Sequence, residues 1–340
     1  MLGLLRFALA VFVVITHLTG LQFFSHWGAF AVFGFYIVSG YLVTAILNQT
    51  YSFNLLSFAT NRFLRLFPIY YVVAVTSLVI ILVIPDSLRF HAAWNFKGEM
   101  LDILGNLFIF PFVSYFDSSS FFIVPPIWSV AVELVNYLLL WLFIARSRSF
   151  TLFALIISLA YHIGSITYGL DWRSRYFPFY AALLPFSIGA CIFFTRNIFS
   201  AITIQKIKIA LYSSLFVWTV NLYFCGLGGG IEGAGFNLYF YINLVALSIL
   251  VYCITHNSFA TAMSKTGKAV GDLAYPIFLT HWIIAFVCGT VFLDGNKRGL
   301  PLLVVSIIPI TFISFILAWM ANKWIEPIRY NVRISANTRQ

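Results

Sequence analysis

Arg6 and His17 stand eleven residues apart in "LLRFALAVFVVITH", a run apolar enough to cross a membrane. An ionisable side chain at the centre of a bilayer costs roughly 2.5 to 3.5 kcal/mol on insertion scales, so each one asks for a reason. At 3.6 residues per turn and 1.5 Å per residue, eleven residues make about three turns, which puts both side chains on one helix face, roughly 16 Å apart along the axis. They look into one cavity from two depths, Arg6 near the cytoplasmic mouth and His17 in the outer half of the bilayer. The plainer accounts are a snorkelling anchor for Arg6 and a helix-packing hydrogen bond for His17.

Arg62 and Arg65 in "NRFLRLFP" lie three apart just before an apolar span, with Pro68 at the expected start of that helix. Two guanidiniums on one face grip phosphates in a bidentate manner; a topology signal or a lipid-headgroup contact is the alternative. In "PPIWSVAVELVNYLL", Glu133 follows Pro125 and Pro126 by about two turns, roughly 10 Å below the outer surface. That depth matches His17, so an acid and an imidazole from two helices form a candidate base and orienting partner, with structural ion pairing as the competing role. Ser39 and Gly40 in "FYIVSGYLVT" read as a close-packing pair or as cavity lining. His281 lies inside "YPIFLTHWII", where Pro276 starts or bends a helix, and Glu326 with Arg329 in "WIEPIR" reads as a cap or loop clamp. Neither paired-cysteine metal spacing nor HExxH, GxSxG or Walker patterns occur, so no metal is expected.

These residues need a membrane scaffold to hold them. Of 340 residues, 61% are hydrophobic and 9% charged, against roughly 25% charged in soluble domains. The pattern predicts an all-α polytopic helical bundle with spans near 4–24, 29–47, 66–84, 126–145, 150–168, 177–194, 209–226, 237–254, 273–293 and 299–321. With the N-terminus cytoplasmic, Lys and Arg fall predominantly on inner segments, so both termini are expected inside. Lys and Arg total 20 against 10 Asp and Glu, but they are scattered between spans, which excludes a phosphate-tracking nucleic-acid binder. The first apolar run reads as a retained helix and not a cleaved signal, and the cysteines as small core residues. Residues 101–115 read as re-entrant or interfacial, and "GLGGGIEGAG", 226–235, as a flexible outer loop. One membrane domain, 1–321, precedes a short basic cytoplasmic tail, 322–340.

Taken in order, Arg6 with His17, "FYIVSGYLVT", Arg62 with Arg65, "WSVAVEL" with Trp128, Ser129 and Glu133, and "YPIFLTHW" with Tyr275 and His281 resemble the acyltransferase-3 family of integral-membrane O-acyltransferases. The resemblance implies transfer of an acetyl or other short acyl group from cytoplasmic acyl-CoA to a hydroxyl of an extracytoplasmic or lipid-linked glycan, in a multi-pass protein of the bacterial plasma (inner) membrane. It implies that Arg6, Arg62 and Arg65 hold the donor and that His17 and Glu133 carry the chemistry. Ser39, Trp128, Ser129, Tyr275 and His281 are then candidate cavity-lining residues. Two departures stand out: Leu134, Val135 and Asn136 replace a second Glu and its following run, and only "MLGLL" precedes Arg6 where many relatives carry an Asp. With no esterase-like domain after Ala321, the expectation is direct transfer or a separate extracytoplasmic partner protein. The competing class is a transporter or flippase of lipid-linked sugars, since an acid, a histidine and arginines also suit proton-coupled carriage.

Overall fold

The computed structural model describes residues 1–84, 87–96, 98–110, 121–196, 203–256 and 264–337. Every element in them is helical. The ten membrane-type helices are α1 (Leu2–Thr19), α2 (Trp27–Ile46), α3 (Leu55–Val83), α4 (Ile127–Leu142), α5 (Arg148–Thr167), α6 (Phe179–Thr195), α7 (Ile204–Leu227), α8 (Phe236–Thr255), α9 (Ala274–Phe292) and α10 (Leu300–Met320). Eight lie in stretches long and apolar enough to cross a membrane by themselves, while Ile127–Leu142 and Phe179–Thr195 are shorter. Each overlaps one of the ten expected spans.

Burial sorts the helices. The α2 and α9 stretches are mostly enclosed, whereas α5 and α10 present most of their surface outward, as helices facing lipid can. The most extensive helix contact is between α2 and α6. A Cβ on Gly40 would stand 2.3 Å from the Phe186 carbonyl oxygen, and one on Gly189 2.2 Å from that of Ile37, so two glycines let the backbones touch. Buried polar side chains add directional contacts: Trp218 Nε1 donates to Asn243 Oδ1 at 2.8 Å, and Asn136 Nδ2 to the Phe179 carbonyl at 3.0 Å. Asn136, one of the departures from the family pattern, thus clamps α4 to α6.

Several expectations need correcting. Helix α3 starts at Leu55, not near 66, because Asn54 caps it by accepting from Ser57 N at 2.9 Å. Pro68 therefore lies inside the helix, with Arg62 and Arg65 already on it. The glycine-rich loop is pinned. Gly230 has φ +61°, a Cβ there would meet Ser25 Oγ at 2.1 Å, and Ile231 N donates to that Oγ at 3.0 Å. Its glycines serve close approach to the 22–25 turn, not freedom of movement.

Within the segment expected to be re-entrant, Met100–Phe108 is a helix of nine residues, roughly 13 Å long and too short to cross. It docks on α3, where Tyr70 and Tyr71 donate to the carbonyls of Asn106 and Leu107, each at 2.7 Å. Residues 111–115 of that segment lie outside the described residues. The expected basic tail is folded: α10 runs through a π-helical turn, Ala321–Ile325, into α11 (Glu326–Asn337), which packs on α3.

Candidate active site

Two cavities sit in the bundle, one above the other along α1. The inner one, about 210 Å³, is lined by Arg6 from α1, Arg62 and Arg65 from α3, and Arg329 and Arg333 from α11. Ser39, Glu133, Tyr137 and Tyr275 also face it. Five arginines against one lining carboxylate is a strong excess of positive charge for a partly enclosed space. Several donors are unused: the Nε atoms of Arg62, Arg329 and Arg333 and the Nδ2 of Asn61 are buried without a partner. Orphaned donors of this kind mark a place for an acceptor-rich group, and the cradle fits an anion such as a phosphate.

Each arginine is held by its element. The Arg62 guanidinium donates to Asn61 Oδ1 at 3.2 Å and lies 5.7 Å from the centre of the Tyr137 ring. Arg329 pairs with Glu326 at 2.5 Å and reaches Asn61 Oδ1 at 3.4 Å, and Arg333 pairs with the other Glu326 oxygen. The clamp read from "WIEPIR" is present, and it also delivers Arg329 and Arg333 of the expected basic tail to the cavity. Their spacing was the available signal: 326, 329 and 333 are i, i+3 and i+7, one helix face. Arg6 lies within electrostatic reach of Glu133, Arg65 and Asp272.

Glu133 accepts hydrogen bonds from Ser39 Oγ and Tyr137 Oη on the same carboxylate oxygen. Tyr275 Oη donates to the Leu66 carbonyl at 3.0 Å, two residues before Pro68. Ser39 lines the cavity while its neighbour Gly40 supplies the close packing, so both readings of that pair apply, one to each residue.

The outer cavity, about 150 Å³, contains His17. Its wall is aromatic: Trp128, Trp172, Tyr176 and Phe177. The Trp128 and Phe177 rings are 4.8 Å apart, and Trp172 and Tyr176 5.4 Å. Thr16, Ser25 and Ser129 provide hydroxyls. The two cavities share Val32, Ser129 and Phe278, which form a collar between them. Helix α1 is unbroken from Leu2 to Thr19, so Arg6 below the collar and His17 above it keep the separation of roughly 16 Å expected of eleven residues.

The expected meeting of His17 with Glu133 does not occur. Glu133 faces the inner cavity, and the His17 ring is instead 2.9 Å from His281, nitrogen to nitrogen. Equal depth on two helices does not fix which way each side chain turns. His281 is fully buried behind His17 and lines neither cavity. Outside the spans, His91 packs edge-on to Trp282 with centroids 4.4 Å apart. Burial, and then the charge of Arg298, push its pKa down to about 4, so it is uncharged at neutral pH.

A family model described as an acyltransferase domain matches residues 2–321. No curated protein and no solved structure matches the chain.

Proposed function

The chain belongs to the acyltransferase-3 family and is a multi-pass membrane acyltransferase, and from that premise we propose that it moves a short acyl group, most simply acetyl, from cytoplasmic acyl-CoA to a glycan hydroxyl. The acceptor is an extracytoplasmic or lipid-linked saccharide, and the setting a bacterial inner membrane. The observation that carries this reading is the five-arginine cavity joined by one collar to the chamber of His17.

In this account Arg6, Arg62, Arg65, Arg329 and Arg333 hold the anionic nucleotide end of the donor. Its extended pantetheine arm spans a distance like that between Arg6 and His17, bringing the thioester to the collar. Glu133 is a positioning residue. It fixes the Ser39 and Tyr137 hydroxyls and offsets part of the arginine charge beside Arg6. Charge is met at the inner end and the chemistry is kept in the apolar collar, where little water competes.

At His17 the ring nitrogen removes the proton of the acceptor hydroxyl as its oxygen forms a bond to the thioester carbonyl carbon. The carbon–sulfur bond breaks, and the departing thiolate takes the proton from the imidazolium. An ester and a free thiol result, and the histidine is restored. The Trp128, Trp172, Tyr176 and Phe177 rings offer flat apolar faces of the sort that sugar rings pack against, with Thr16, Ser25 and Ser129 for the hydroxyls.

The test is a comparison of envelope glycans by NMR from the native host carrying either the wild-type protein or His17→Ala. Loss of O-acyl signals in the variant is expected. An unaltered glycan in that variant would contradict the catalytic role of His17, and an unaltered glycan after deletion of the gene would contradict the acceptor proposed and favour another acceptor or carriage of a sugar.

A further inference from the structure

Two hydrogen bonds set which nitrogen of His17 is free to act. His281 Nδ1 lies 2.8 Å from the Phe278 carbonyl oxygen, one turn earlier on α9. A carbonyl only accepts, so His281 Nδ1 bears hydrogen. In the neutral ring, His281 Nε2 is then an acceptor, and it faces His17 Nδ1 at 2.9 Å. His17 Nδ1 must supply the hydrogen, which leaves Nε2 as the bare nitrogen of a residue lining the outer cavity. Neither ring is free to swing. His281 is fully buried, and the His17 ring lies nearly parallel to the rings of His281 and Trp282 with centroids 5.1 and 5.2 Å away.

We infer that His281 is a positioning residue that holds His17 in the Nδ1-protonated form, so that Nε2 is the base for the acceptor hydroxyl. The chain is Phe278 carbonyl, His281, His17, and an imidazole stands where a triad has a carboxylate. When Nε2 takes the hydroxyl proton, the Nδ1–H bond to His281 steadies the imidazolium until the leaving thiolate takes that proton back. Phe278 itself forms part of the collar, so the backbone turn that orients the histidines also frames the route of the thioester. This inference rests on the acyltransfer reading given above.

The experiment measures free coenzyme A released from acetyl-CoA, with purified envelope glycan as acceptor and the full chain in nanodiscs. His281→Leu should lower kcat by about a hundredfold while the KM for acetyl-CoA stays within about twofold. In His281→Gln, Oε1 reaches the acceptor position and the amide still donates to the carbonyl, so most of the rate should return. His281→Asn is too short and should not restore it. Equal losses in the Gln and Asn variants, tracking their melting temperatures, would mean a structural role and overturn the inference. So would a wild-type kcat in His281→Leu. If His17→Ala is inactive while His281→Leu is not, only this inference fails; if His17→Ala is active, the role of His17 as the base fails with it; and if the wild-type protein releases no coenzyme A, the acyltransfer reading itself fails.

Discussion

At the scale of single residues, the proposed function assigns the arginines to charge and His17 to proton transfer. Arg329 and Arg333 leave buried Nε donors unused although Glu326 occupies one terminal nitrogen of each. A phosphate oxygen accepting from such donors contributes about 1.5 to 3 kcal/mol per charged hydrogen bond. Either Arg329→Ala or Arg333→Ala should therefore raise the KM for acetyl-CoA by roughly ten- to a hundredfold with kcat little changed. Steady-state kinetics with varied donor check this; an unchanged KM in both variants would remove α11 from the donor site. His91 gives a separate test by pH. Its folded pKa of about 4 lies below the ordinary 6.5, so the unfolded chain binds more protons between those values and stability from this group is lost as pH falls through that window. Unfolding in detergent should show His91→Gln losing less stability than wild type on going from pH 7 to pH 4.5. Much at this scale was legible in the sequence, because Arg6 and His17 share one helix and helix geometry alone fixes their separation and face. The partner of His17 was not. Glu133 and His281 come from different helices, and the rotation of one helix against another depends on packing that local periodicity does not contain.

Among the elements, α2 and α6 matter because Gly40 and Gly189 let their backbones touch, and Asn136 ties α4, which carries Glu133, to α6. Adding a methyl at Gly40, 2.3 Å from a backbone oxygen of α6, forces the helices apart and should destabilise the protein by about 1 to 3 kcal/mol. Gly164→Ala on α5, where a Cβ meets nothing within 4 Å, is the control and should be neutral or slightly stabilising. Thermal unfolding of both variants in detergent decides it, and equal losses would contradict the close-packing account. The ten spans were legible because apolar runs of twenty residues leave few choices in a bilayer. The start of α3 was not, since Pro68 carries a strong start signal in sequence while the Asn54 cap lies well upstream. Residues 326–337 are a basic amphipathic stretch, a pattern equally fit for a solvated tail and for a helix packed on α3, and only the contacts with α3 distinguish them.

For the whole molecule, the ten membrane-type helices among the described residues bring Arg6, Arg62, Arg65 and α11 together at one end. The His17 chamber, the pinned glycine loop and the turn at 172–175 lie at the other. The excess of Lys and Arg at the arginine end is the pattern expected of a cytoplasmic face, which the proposed donor route requires. In a background with the four native cysteines changed to alanine, an impermeant thiol reagent should label Tyr168→Cys in intact cells and Lys268→Cys only after lysis. Both positions are exposed, and the reverse pattern would invert the topology and separate the arginines from cytoplasmic acyl-CoA.

The central claim is that one end of α1 helps to hold the donor and the other end does the chemistry. The most direct measurement is a paired one on His17→Ala in nanodiscs, recording acetyl-CoA binding and acyl transfer on the same preparation. The account predicts wild-type donor affinity with transfer lost by at least about a hundredfold. Transfer at the wild-type rate, or loss of donor binding together with transfer, would contradict it.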